Sequence, residues 1–176
     1  MPRLDKGLVE VYTGNGKGKT TAAFGLALRA AGHGLKVLIV QFMKGWEGYG
    51  EVEACKKIEN IEVVRFGTPE FVNPASPKPI DIEEARRALE YAREAVLSGK
   101  YDIVVLDEVN VALHFKLIEL GDILDLIEKK PSHVELVLTG RYAPPELVKA
   151  ADLVTVMEEV KHPFRQGVVS RRGIDY

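Results

Sequence analysis

The chain has 176 residues, 46% of them hydrophobic and 28% charged, and its 24 basic against 26 acidic side chains leave a net charge of −2. Length and hydrophobic content are those of one core-forming domain covering residues 1–176, and the near balance of charge excludes a long-range field that draws in nucleic acid or a membrane surface. A lone cysteine, Cys55, excludes an internal disulfide and a thiolate metal cluster; with no apolar run of signal or membrane-spanning length, a cytoplasmic protein is expected.

Short runs of Val, Ile and Leu alternate with amphipathic stretches along the whole chain. Strands are predicted at Leu8 to Thr13, Lys36 to Phe42, Ile61 to Phe66, Tyr101 to Asp107, Val134 to Thr139 and Asp152 to Met157, all with the composition of buried parallel strands. Helices are predicted at Lys19 to Ala31, Glu51 to Ile58, Asp81 to Leu97, Ile118 to Lys129 and Pro145 to Ala150. In the third helix Asp81 is placed to cap, with Glu84 three residues on, while Ile82, Ala85, Leu89, Ala92 and Val96 recur at helical spacing. Its charged positions, Glu83, Arg86, Arg87, Glu90, Arg93 and Glu94, read as a solvated face. The alternation predicts a three-layer α/β domain around a mainly parallel sheet of about six strands, with ligands at the carboxyl ends of the strands. Two irregular segments follow strands on that edge, "MKGWEGYG" (43–50) and "GTPEFVNPASPKPI" (67–80), and are candidate substrate loops.

The first strand runs into "TGNGKGKTT", Thr13 to Thr21. Gly14, Gly16 and Gly18 between a strand and a helix let backbone N–H groups converge on an anion at the helix N-terminus. Lys19 then brings an ammonium to the phosphates and the Thr20 hydroxyl brings a ligand for Mg²⁺, the division of labour of a phosphate-binding P-loop. The pattern G-x-x-x-x-G-K-[ST] fails at its first position, where Thr13 stands for glycine, but its GKT end is intact. The bland alternative is a glycine-rich turn with chance lysines. Lys17 adds a second cation, which fits a whole triphosphate taken as one anion; the alternative is a lysine facing solvent.

"YDIVVLDE", Tyr101 to Glu108, ends an apolar strand in two carboxylates. Asp107 is placed to hold Mg²⁺ directly or through water opposite Thr20, and Glu108 to act as a further ligand or a base. Acidic residues at a strand end are also common in turns. Arg141, after the fifth strand, is a candidate phosphate or ribose contact, or else pairs with Glu146. His33, His114 and His133 have no paired ligands and read as structural.

Five blocks in order, "TGNGKGKTTAAFGLALRAAGHG", "IVQFMKG", "VVLDE", "LTGR" and "VKHPFRQGVVSRRGIDY", resemble the cob(I)alamin (corrinoid) adenosyltransferases of the P-loop type from Leu8 to Tyr176. The resemblance implies transfer of the 5′-deoxyadenosyl group of ATP to Co(I) of a reduced corrinoid, such as cobalamin or a corrinoid precursor, with release of triphosphate. It implies an ATP site of Gly14, Asn15, Gly16, Lys17, Gly18, Lys19, Thr20, Thr21, Arg141, Lys161 and His162, and Mg²⁺ between Thr20, Asp107 and Glu108. Lys17, Lys19 and Glu108 are the residues assigned to catalysis, with Glu108 as a metal or ribose ligand, since Co(I) carries no proton to remove. The nucleotide is expected to lie reversed in the loop, its C5′ outward, and Thr13 and Lys17 are compatible with that placement.

The resemblance further implies a homodimer and an electron donor such as a flavoprotein. Some members carry an N-terminal arm over the corrinoid and a Phe and a Trp close together after the third strand, which push the lower ligand off cobalt. Here "MPRLDK" precedes the first strand, Phe71 is the one aromatic of the 67–77 stretch, and Trp46 lies in the other loop; both are candidates to face the corrinoid. Two rival functions use the same loop: an ordinary ATPase or kinase acting at the γ-phosphate, and a carrier that binds corrinoid and nucleotide without joining them.

Overall fold

The computed structural model describes residues 3–176. The β-branched runs form strands β1 (Val9–Thr13), β2 (Val37–Gln41), β3 (Ile61–Arg65), β4 (Ile103–Asp107), β5 (Glu135–Thr139) and β6 (Leu153–Val156). They pair in the order β3-β2-β4-β5-β1-β6, and every pairing is parallel. All six carboxyl ends therefore open on one edge of the sheet, where ligands of such folds bind.

Side chains alternate across the sheet and feed two cores. On one face Val9, Val11, Leu38, Val40, Val104, Leu106, Leu136 and Leu138 pack with α3 (Pro79–Ser98), α4 (Val109–His114), α5 (Leu120–Lys129) and α6 (Pro145–Ala150). On the other, Tyr12, Val37, Ile39, Ile103, Val105 and Val137 pack with α1 (Lys19–Gly32) and α2 (Gly50–Cys55). The result is the three-layer α/β arrangement predicted from the alternating sequence.

Three local expectations change. Asp81 does not stand at the cap: α3 starts two residues earlier at Pro79, and the Asp81 side chain instead accepts the Lys78 backbone N–H at 2.8 Å. The last strand is not buried; Leu153, Val154 and Val156 are all exposed because β6 is the outer strand beside β1. Helix α4 was not predicted, since its six residues continue the apolar run of β4 and the turn between them is made at Glu108, a non-glycine residue with φ 66°. A short 3₁₀ turn, Pro163–Gln166, follows β6 in the C-terminal segment.

Candidate functional site

The loop between β1 and α1 owes part of its glycine content to a crossing chain. Gly14 has φ 99°, and a Cβ there would meet the Met157 carbonyl oxygen at 2.3 Å. A Cβ on Gly16 would come within 2.8 Å of the Glu158 backbone, and the Gly16 N–H donates to the Met157 carbonyl at 2.7 Å. The segment leaving β6 thus lies directly on the loop, and only bare backbone leaves room for it. Thr13 ties the loop from the other side. Its hydroxyl accepts the Ala143 N–H at 3.2 Å, pinning the loop after β5 against β1. Helix α1 then begins at Lys19 behind Gly18, with no side-chain cap and no acid in its first turn, so its leading N–H groups are left for an external anion.

Below the loop, Asp107 is fully buried at the end of β4 and meets four donors. Oδ1 accepts from the Thr20 hydroxyl at 2.8 Å and the Thr139 hydroxyl at 2.7 Å; Oδ2 accepts from Gln41 Nε2 at 3.0 Å and Lys44 Nζ at 2.7 Å. Burial alone would raise the Asp107 carboxyl, but the Lys44 ammonium and the hydroxyl donors hold it below the usual carboxylate range. Burial likewise works against the Lys44 charge, and Asp107 more than offsets it, keeping the ammonium protonated above its ordinary range. Because Thr20 gives its proton to Asp107, its oxygen lone pairs are directed away from that carboxylate. Glu108 is half-buried beside this cluster, its backbone N–H donating to Thr139 Oγ1 at 3.0 Å. Burial, and then the neighbouring Asp107 charge, push its carboxyl up.

Lys19 is buried and curls back to donate to the Gly16 carbonyl at 2.6 Å. Burial lowers its ammonium pKa, and the positive charge of Arg141 lowers it further. A cavity of about 270 Å³ opens here, bounded by Asn15, Gly16, Lys17, Lys19, Arg141 and His162. An adjoining cavity of about 260 Å³ collects Gly18, Thr20, Thr21, Lys44 and Glu108, with Lys17, Lys19 and Arg141 shared between the two. Every residue implied for the ATP site from Asn15 to Thr21 faces one or the other, whereas Gly14 is covered by Met157. His162 caps the 3₁₀ turn, its Nδ1 accepting the Phe164 N–H at 3.1 Å. Lys161 is exposed and lines a neighbouring depression with Lys17 and Glu158.

Among the described residues no three His, Cys, Asp or Glu side chains group to enclose a metal. What the site offers is a hydroxyl, Thr20, whose lone pairs are free to face the cavity, with the carboxylates of Asp107 and Glu108 behind it. Such a sparse set of hard oxygen donors fits Mg²⁺, which takes much of its coordination from phosphates and water.

The two irregular loops meet. Lys44 N–H donates to the Phe66 carbonyl at 2.9 Å and Gly45 N–H to the Thr68 carbonyl at 3.2 Å, so the 43–50 and 67–80 segments form one wall. A cavity of about 420 Å³ lies against it, lined by Met43, Trp46, Tyr49, Pro69 and Phe71 together with Tyr176. Trp46 and Phe71, from different loops, thus share a cavity. Lys44 and Tyr49 border this cavity and the one at Thr20, and Asp175 borders both as well.

Four contributors are not singled out by sequence reasoning. Gln41, Lys44 and Thr139 all bind Asp107, and Asp175 pairs with Lys17. All four stand within the quoted blocks, Gln41 and Lys44 in "IVQFMKG", Thr139 in "LTGR" and Asp175 in "VKHPFRQGVVSRRGIDY", which was the available signal.

A family profile described as ATP:corrinoid adenosyltransferase BtuR/CobO/CobP matches residues 5–176. A corrinoid adenosyltransferase of Sinorhizobium sp is 39% identical over 98% of this chain and 81% of its own length. One of Pseudomonas aeruginosa is 36% identical over 99% of this chain and 86% of its own, and one of Escherichia coli K12 is 34% identical over 98% and 87%. With nearly the whole chain matched by the profile, and these relatives matched over most of their length, this protein belongs to the ATP:corrinoid adenosyltransferase family.

Proposed function

We propose that this protein transfers the 5′-deoxyadenosyl group of ATP to the Co(I) of a reduced corrinoid and releases inorganic triphosphate. The observation that carries the reading is the joining of two unlike cavities at one sheet edge. One is lined by Lys17, Lys19, Arg141 and an uncapped helix N-terminus, the other by Trp46, Tyr49 and Phe71, and Lys44 lies on their border. The first suits a polyanion and the second the face of a large flat macrocycle.

In this reading the cobalt electron pair forms a bond to C5′ while the C5′–O bond breaks, and that bonding pair leaves on the triphosphate. Lys17 and Lys19, with Asn15, Gly16 and Gly18 around them, hold the departing group and stabilise its growing charge. Thr20, oriented by Asp107, and Glu108 would hold Mg²⁺, which when bound supplies further positive charge to the phosphates. Arg141 and His162 close the nucleotide side, and Lys161 extends the positive rim. No proton moves at the central step, so Glu108 serves as a ligand and not as a base. Phe71 and Trp46 meet the corrinoid and exclude water from the axial position, which makes Co(II) easier to reduce by an external donor such as a flavoprotein. Two copies of the chain acting as a homodimer complete the proposal.

The test is incubation of the protein with ATP, Mg²⁺ and chemically reduced cobalamin. Adenosylcobalamin and triphosphate are the expected products. ADP release would place the chemistry at the γ-phosphate, and a persistent Co(I) spectrum in the presence of ATP would make the protein a carrier.

A further inference from the structure

The last six residues connect the two cavities. Residues 171–176 fold into a compact turn: Asp175 N–H donates to the Arg171 carbonyl at 2.8 Å, and the Asp175 carboxylate accepts from the Arg171 backbone N–H at 2.9 Å and its Nε at 3.2 Å. This turn delivers two groups. The Asp175 carboxylate forms an ion pair with Lys17, whose Nζ also donates to the Ile174 carbonyl at 2.8 Å. The next residue, Tyr176, stands edge-on to Trp46 with ring centroids 5.4 Å apart and borders the aromatic cavity.

An acid is out of place against a loop read as an anion site. Asp175 borders the cavities on the Lys19 side and the aromatic one alike, so it lies where a phosphoryl group held by Lys17 would lie. Lys17 and Asp175 remain 47% and 23% exposed, and ion pairs of that kind add little stability, so a multiply charged anion that also engages Lys19 and the α1 terminus replaces the carboxylate readily. A carboxylate and a triphosphate repel one another across a shared ammonium and do not occupy Lys17 together.

Resting on the reading of the loop as a triphosphate site, we propose that Asp175 and Tyr176 form an internal plug: Asp175 occupies the phosphate position on Lys17, and its displacement by the triphosphate withdraws Tyr176 from Trp46. Nucleotide entry thereby opens the aromatic cavity, and the macrocycle is admitted only after its co-substrate is in place. A binding-competent state that the plug hides lowers apparent affinity by the fraction of molecules that are open.

Trp46 is the chain's one tryptophan and borders neither cavity that contains Lys19, so its emission does not report direct contact with phosphate; its ring also stands edge-on to Tyr49, which borders the Thr20 cavity, and the Tyr176→Ala variant separates these two neighbours. The probe is inorganic tripolyphosphate, titrated into the full chain with Trp46 fluorescence and calorimetry as readouts. Binding is expected to change Trp46 emission in the native protein. Asp175→Asn is expected to bind about tenfold more tightly, because the competing charge is gone while the Ile174 carbonyl contact remains. Tyr176→Ala is expected to show the altered emission before any ligand is added and no further change afterwards; a thermal melt confirms that both variants fold. Tight binding to native protein with unchanged emission, or equal or weaker binding by Asp175→Asn, overturns the plug while leaving the triphosphate site intact. Failure of native protein and both variants to bind tripolyphosphate overturns the site and the plug together.

Discussion

Asp107 receives four hydrogen bonds with no exposure to solvent, and one of its donors is a charge that is itself only 13% exposed. Removing one member of such a pair leaves the other charge without compensation in a poorly solvated place. Asp107→Asn is therefore expected to lower unfolding stability by about 3 kcal/mol, measured by denaturant melts, and adding Lys44→Met to that variant is expected to recover a large part of the loss. A purely catalytic Asp107 would show no such rescue. Lys19 calls for a different outcome. Its ammonium reaches the Gly16 carbonyl, and the loop is otherwise tied by backbone hydrogen bonds to Met157 and by the Thr13 hydroxyl, which accepts the Ala143 N–H. Lys19→Ala should thus remain folded, yet lose about 10²-fold or more in turnover with ATP, as removal of one preorganised hydrogen-bond donor to developing negative charge does elsewhere. A loss below tenfold would show that Lys17 and Arg141 suffice to hold the leaving group.

At the scale of elements, the opposite end of β1 and β5 carries an acidic cluster remote from the cavities. Glu135 Oε2 accepts the Leu8 N–H at 2.6 Å, and Glu10, which accepts from the Tyr12 hydroxyl at 2.5 Å, lies beside it. Burial, and then the neighbouring Glu10, push the Glu135 carboxyl up to about 7. An acid raised in the folded state favours folding fully below its ordinary pKa of about 4.3, and that contribution fades as pH rises through the folded value. Melting temperature is expected to fall between pH 5 and pH 8 by the equivalent of about 1 kcal/mol, discounted for the half-exposed position, and Glu135→Gln should flatten the fall. An unchanged slope in that variant would remove Glu135 from the account. The strands that carry these residues were legible from their Val, Ile and Leu runs to within two residues at each end, because side-chain branching acts locally. What was not legible depends on distance. The Lys44 and Asp107 partners are 63 residues apart in the chain and Lys17 and Asp175 are 158 apart, and neither spacing leaves a periodic trace. The exposure of β6 is a property of sheet order, and its valines look like those of β5 until the neighbours are known.

For the molecule as a whole, the sheet order assigns the two halves of the proposed reaction to different parts of one edge. Strands β1, β4 and β5 are adjacent or nearly so and end in Thr13, Asp107 and Thr139, the residues around the anion loop; β2 and β3 form the outer pair and lead into the loops that carry Trp46 and Phe71. Phe71 is fully exposed, so truncating it removes almost no native packing. Phe71→Ala is expected to change stability by less than about 0.5 kcal/mol and to leave the tripolyphosphate dissociation constant unaltered. Its deficit should appear only with corrinoid: the protein-dependent change in the cob(II)alamin spectrum that accompanies loss of the lower ligand is expected to weaken, and turnover from Co(II) with an external reductant to fall more than turnover from pre-reduced Co(I). Such a split separates a residue that prepares the cobalt from one that holds ATP, since a nucleotide ligand would depress both turnover rates equally. Equal losses from Co(II) and Co(I), accompanied by weaker tripolyphosphate binding, would merge the two cavities into a single nucleotide pocket and return Phe71 to that pocket's rim.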